Sequence, residues 1–116
     1  MIKKTMEVNA VGPMLTMKEF LPEMLKKNKG HVVTISSVSS FVGVPEAIEY
    51  SASKAAATQI DECFKLLVHN SKKNIKSTCI CPFFINTGMF EGAKGITVSG
   101  VLEQEYVVNR IIQAIQ

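Results

Sequence analysis

Four polar side chains stand out by type and spacing: Asn9, Ser37, Tyr50 and Lys54, separated by 28, 13 and 4 residues. Tyr50 and Lys54 sit in the alanine-rich stretch "EYSASKAAAT". A helix places residues at i,i+4 on one face with Cβ atoms roughly 5–6 Å apart. An ammonium that close favours the phenolate, which predicts a tyrosine pKa lowered from about 10 toward the working pH. That is the requirement for a general acid or base. On spacing alone, an ordinary solvated surface pair fits equally well. Ser37 follows an apolar run, "HVVTIS", and in open α/β sheets ligands bind at the carboxyl ends of strands. A hydroxyl there can donate to a carbonyl oxygen while Tyr50 gives or takes the proton. Ser36 would serve as well by spacing, and Ser36, Ser37, Ser39 and Ser40 together also fit a polar turn. Asn9, in "EVNAVG", is a mediocre helix former. It reads either as a polar interruption that bends the helix or as the anchor of a water linking Lys54 to solvent.

These residues need elements to position them. From Ile2 to Asn28 the apolar residues Met14, Met17, Leu21, Met24 and Leu25 recur at helical spacing. Pro22 removes a backbone donor inside this helix and predicts a local kink, with Gly30 as its stop. His31 to Ser36 is a β-branched run of strand length, and its near-continuous hydrophobicity predicts a strand covered on both faces. Gly43 and Pro45 break the chain. A second helix is expected from about Ala47 to Asn70, with Ala56, Ile60, Phe64, Leu67 and Val68 on its apolar stripe. "IKSTCICP" reads as a second buried strand stopped by Pro82, followed by a glycine-bearing loop and a last amphipathic segment, Glu103 to Ile115. The order helix, strand, helix, strand, loop, helix is that of an α/β layered fold. Two parallel strands joined by a crossover helix leave one face and both edges unpaired. The chain therefore reads as a piece of a larger domain.

Composition narrows the function classes. The 116 residues have room for one core, and apolar and charged contents of 47% and 20% are those of a globular protein. A net charge of +3 with scattered lysines lacks the basic stripe and interleaved aromatics of a nucleic-acid surface. No apolar run approaches the ~20 residues needed to span a bilayer. Cys63, Cys79 and Cys81 form no disulfide framework and read as reduced thiols. Cys79 and Cys81 can share a strand face, but no neighbouring His or Cys pair completes a metal site. Burial as small hydrophobes is the expected role of all three.

The stretches "VNAVGPMLTMKEFLPEM", "GHVVTISS", "YSASKAA" and "CPFFINTGMF" resemble consecutive motifs of the short-chain dehydrogenase/reductase family. They resemble most its membrane-associated retinol and 17β-hydroxysteroid dehydrogenase branch. The likeness covers nearly the whole chain and corresponds to the family's C-terminal half. It implies a partial Rossmann fold over residues 1–116, a doubly wound parallel sheet without its glycine-rich first half, and NAD or NADP as cofactor. It also implies roles: Tyr50 as acid/base, Lys54 holding the nicotinamide ribose, Ser37 polarising the substrate oxygen and Asn9 holding a relay water. Pro82 to Thr87 would line the nicotinamide, with Ile85 near the carboxamide and Thr87 near the phosphates or ribose. Met89 and Phe90 would offer apolar contacts in a substrate lid. The implied substrate is a small lipophilic alcohol or carbonyl, retinoid or steroid-like. The implied place is the cytosol-facing surface of the endoplasmic reticulum or of lipid droplets, with homodimerisation through the two long helices. The family's phosphate-cradling glycine loop and the residue separating NAD from NADP are absent from these 116 residues, and Phe83 follows Pro82 where many members place glycine. A non-catalytic, truncated product whose remaining surface serves association is the competing expectation.

Overall fold

In the computed structural model, which describes residues 1–88 and 100–116, helix α1 (Ile2–Met6) runs through a π-helical turn, Glu7–Val11, into α2 (Gly12–Lys27). Strand β1 (Gly30–Ile35) follows, then two 3₁₀ turns, Val38–Ser40 and Pro45–Ala47. Helix α3 (Ile48–Ser71), strand β2 (Ile75–Ile80) and helix α4 (Gln104–Ile115) complete the order. The expected sequence of elements is present. The irregularity of the first helix, however, lies at Glu7–Val11, and α2 continues through Pro22 without interruption. Helix α2 stops two residues before Gly30, at Asn28, whose φ of 52° is the left-handed conformation that asparagine tolerates. Gly30 opens β1 instead. Its lack of a side chain lets α2 approach, since an added Cβ would lie 2.6 Å from Met24 Sδ.

The two strands pair in parallel, from Gly30 opposite Ile75 to Ile35 opposite Ile80. Period-2 alternation turns Val32, Thr34, Ile75, Ser77 and Cys79 to one face. There Phe64, Val68 and Ile75 form the core, packed by Met17, Leu21, Met24 and Leu25 of α2 and by Val32. Both long helices thus serve the same face. On the other, His31 Nε2 lies 2.8 Å from Thr78 Oγ1 and Ile35 is 47% exposed. The expectation that β1 is covered on both faces does not hold within this part of the chain, because both helices take the same side.

The buried stripe of α3 includes Phe64 and Val68 as expected but otherwise differs from the expected one. It runs Ser53, Ala57, Asp61, Phe64 and Val68, while Leu67 is 46% exposed. Hydropathy points to the neighbouring stripe because two of the inward positions are polar. Each has its own partners. Asp61, 1% exposed, accepts from Ser77 Oγ at 2.6 Å and pairs with Lys65 Nζ at 2.8 Å. That bond holds the Lys65 pKa above its ordinary value.

The chain divides into two compact units, Met1–Cys81 and Pro82–Gln116. In the second, Ile85 bridges Leu102 in parallel: Leu102 N–H donates to Phe84 O and Asn86 N–H donates to Leu102 O. Val107 is the buried residue of α4.

Candidate active site

Lys54 lies one turn after Tyr50 on α3, with its ammonium 5.7 Å from the centre of the Tyr50 ring. It donates to the carbonyl of Ile35, the last residue of β1, at 2.9 Å. This bond pins the tyrosine–lysine face of α3 to the carboxyl end of the strand. Burial lowers the Lys54 pKa, against opposing contributions from the Cys79 and Cys81 sulfurs. An ammonium has three donors, and the bond to Ile35 uses one of them.

Spacing left Ser36 and Ser37 as equal candidates, and the structure separates their surroundings. Ser36 is 2% exposed, and its hydroxyl is spent inside the fold. It donates to the backbone carbonyl of Lys54 at 3.0 Å and meets Thr58 Oγ1 at 2.6 Å. Ser36 N–H also donates to Ile80 O at 2.7 Å, continuing the β1–β2 pairing. Ser37 is half-buried and caps the 3₁₀ turn, its Oγ accepting from Ser39 N–H at 3.2 Å. A hydroxyl that accepts there keeps its own proton to donate. The turn it caps packs against α3.

Asn9 lies in the π turn. Its Nδ2 donates to Ser53 Oγ at 3.1 Å, and Ser53 in turn donates to the backbone carbonyl of Tyr50 at 2.7 Å. Ser53 is fully buried. This chain connects Asn9 to the tyrosine-bearing turn of α3 through a side chain that sequence reasoning passed over. The available signal was a serine directly before Lys54, inside an alanine-rich helix, where a hydroxyl gains nothing unless it has a partner. π turns frequently occur at functional sites, and here the widened turn carries Asn9. The loop before α3 adds a shallow apolar groove of about 300 Å³, lined by Gly43, Val44, Pro45, Ile48 and Ser51.

Pro82, Ile85 and Thr87 belong to the second unit. A parallel bridge directs the peptide groups of Ile85 itself away from Leu102, and the Ile85 carbonyl accepts from Thr87 N–H at 2.8 Å. Met89 and Phe90 lie outside the described residues. The cysteines depart from expectation. Cys63 is exposed, and Cys79 and Cys81 are half-exposed with sulfurs 3.7 Å apart. Among the described residues no cluster of three or more metal-ligating side chains occurs. No described helix is long and apolar enough to cross a membrane.

The family model of the short chain dehydrogenases matches residues 1–95. The chain belongs to this family. Estradiol 17-beta-dehydrogenase 11 of Homo sapiens is 40% identical over 119 residues, and epidermal retinol dehydrogenase 2 of Mus musculus is 42% identical over 118. Human 17-beta-hydroxysteroid dehydrogenase 13 is 39% identical over 115 residues. These alignments take in 98–99% of this chain but 38% of each relative, so the chain spans less than half the length of the curated relatives it matches. Among solved structures, a short chain dehydrogenase from Burkholderia cenocepacia J2315 in complex with NADP superposes with a TM-score of 0.84. The superposition covers 98% of this chain and 45% of that one, and at 24% identity it shows the fold. 4-Hydroxyisoleucine dehydrogenase complexed with NADH is 26% identical, with a TM-score of 0.81 over all of this chain and 52% of that one. The α/β arrangement is thus the short-chain dehydrogenase Rossmann fold, covered over about half of its extent.

Proposed function

We propose that this short-chain dehydrogenase interconverts a small lipophilic alcohol, retinoid or steroid-like, and its carbonyl with NAD or NADP. The observation that carries the proposal is the bond from Lys54 Nζ to Ile35 O at the carboxyl end of β1. It draws the Tyr50 turn of α3 to the strand end that precedes Ser37. The donor set there suits a dinucleotide, because the ammonium has donors beyond the one on Ile35 for the hydroxyls of a ribose. A bound nicotinamide supplies the hydride acceptor or donor. The chain's own residues handle the proton. Ser37 donates to the substrate oxygen and orients it, Tyr50 takes or returns the proton on that oxygen, and Lys54 stabilises the tyrosinate. Asn9, fixed by Ser53, holds the relay water through which Lys54 reaches solvent. Family resemblance adds Pro82, Ile85 and Thr87 as nicotinamide-side residues.

The groove of Gly43, Val44, Pro45 and Ile48 supports an apolar substrate, as do the retinol and steroid dehydrogenase names of the relatives. Resemblance to that branch also favours the cytosol-facing surface of the endoplasmic reticulum or lipid droplets. Homodimerisation through the long helices is supported by an apolar groove that Met14, Met17, Leu21, Ile60 and Leu67 line between α2 and α3. The same surface would serve a non-catalytic association module, the second reading.

The two serines test the enzymatic reading. In the full-length protein, assayed with a retinoid or steroid alcohol and either dinucleotide, Ser37→Ala should lower turnover by about 10²-fold or more. It should change stability little. Ser36→Ala should instead lower stability by about 1–3 kcal/mol through the partners it leaves buried. Full turnover in Ser37→Ala contradicts the assignment.

A further inference from the structure

We propose that Cys79 and Cys81 form an oxidisable dithiol, and that its closure to a disulfide by a hydroperoxide loosens the serine-bearing end of β1. The two sulfurs lie 3.7 Å apart at the carboxyl end of β2, and both residues are half-exposed. Between them stands Ile80. Its carbonyl accepts from Ser36 N–H at 2.7 Å, the bond that extends the sheet past Ile35 to the two serines. Ser36 in turn holds the backbone of Lys54 and the hydroxyl of Thr58. The thiols therefore flank the peptide on which this network hangs.

The geometry makes closure a mechanical event. Residues two apart in an extended strand have Cα atoms about 6.6–6.8 Å apart. That is the far end of the range a disulfide spans, and the bond needs sulfurs at about 2.05 Å and Cβ atoms at about 3.5–4.5 Å. Closing it must buckle the strand at Ile80 and displace the carbonyl that Ser36 uses. A disulfide strained in this way is readily reduced again, which makes the change reversible.

The chemistry balances with a hydroperoxide as the two-electron oxidant. Burial and the hydrogen bond to Cys81 push the Cys79 thiol up to about 12, and the proposed sequence begins at Cys81. The Cys81 sulfur takes an oxygen from the hydroperoxide, giving a sulfenic acid and an alcohol (water, for hydrogen peroxide). The Cys79 sulfur then bonds to the Cys81 sulfur, and the departing hydroxide leaves as water with the Cys79 proton. Two thiols and one hydroperoxide become one disulfide, one alcohol and one water.

The test uses the full-length protein, reduced, treated with hydrogen peroxide and then alkylated. Cys79 and Cys81 lie within one tryptic peptide that excludes Cys63. The expected result is that peptide lighter by two hydrogens and unalkylated. In the same sample the Ser36 amide should exchange its hydrogen about tenfold faster, the loss of roughly one hydrogen bond's net stabilisation. Cys81→Ser should show neither change. Full alkylation of both cysteines after peroxide overturns the dithiol, and a disulfide with unchanged Ser36 exchange overturns the lever. Neither readout depends on the dehydrogenase reading, so failure here is distinguishable from failure there. An effect of the disulfide on turnover rests on that reading.

Discussion

Ser53 shows how much of the site depends on a residue with no chemical role of its own. Fully buried, it accepts from Asn9 and donates to the carbonyl of Tyr50, and so relates two segments 44 residues apart. Removing its hydroxyl leaves the Asn9 amide without that acceptor. Ser53→Ala should cost about 1–3 kcal/mol, read as a shift of the denaturant midpoint at constant slope. A stability unchanged within a few tenths of a kcal/mol would contradict the link. The quartet of Asn9, Ser37, Tyr50 and Lys54 stands out in the sequence by its residue types and spacings. Ser53 does not, because a buried serine has the same letter as an exposed one, and only its partners distinguish them.

At the scale of elements, the order of helices and strands followed directly from periodicity and from Gly, Pro and β-branched residues. What periodicity missed has a physical cause in each case. The inward stripe of α3 carries Ser53 and Asp61, whose polarity is offset by Asn9, Ser77 and Lys65, so hydropathy found Phe64 and Val68 but placed the rest of the stripe on neighbouring residues. The π turn at Glu7–Val11 has no composition of its own; it shows only in backbone bonding. Apolar residues are left outside on both long helices: Met14 of α2 is 47% exposed, Leu15 of α2 61% and Leu67 of α3 46%. Burying a leucine at a contact contributes about 1.5–3 kcal/mol. If a second copy covers this face, Leu67→Glu should shift the sedimentation of the full-length protein from dimer to monomer without lowering its helix content. A dimer that survives the substitution would place the interface elsewhere.

At the scale of the molecule, the unit Met1–Cys81 of this short-chain dehydrogenase family member contains Asn9, Ser37, Tyr50 and Lys54, the residues proposed to handle the proton. Its carboxyl-end geometry rests on backbone acceptors: Ile35 for Lys54, Tyr50 for Ser53, and Lys54 and Ile80 for Ser36. Such a site is positioned by the sheet and by α3 together, so the side chains that react need not carry the fold. Tyr50 anchors through its backbone carbonyl, which accepts from Ser53, and its proposed role is carried by the side chain. The most direct measurement is therefore turnover and dinucleotide affinity of Tyr50→Phe in the full-length protein, with a retinoid or steroid alcohol as substrate. The predicted result is a loss of turnover by about 10²–10⁴-fold, the contribution of a positioned acid or base, with dinucleotide affinity within a few-fold of the parent. Turnover retained in Tyr50→Phe would contradict the assignment of Tyr50 as the group that moves the proton.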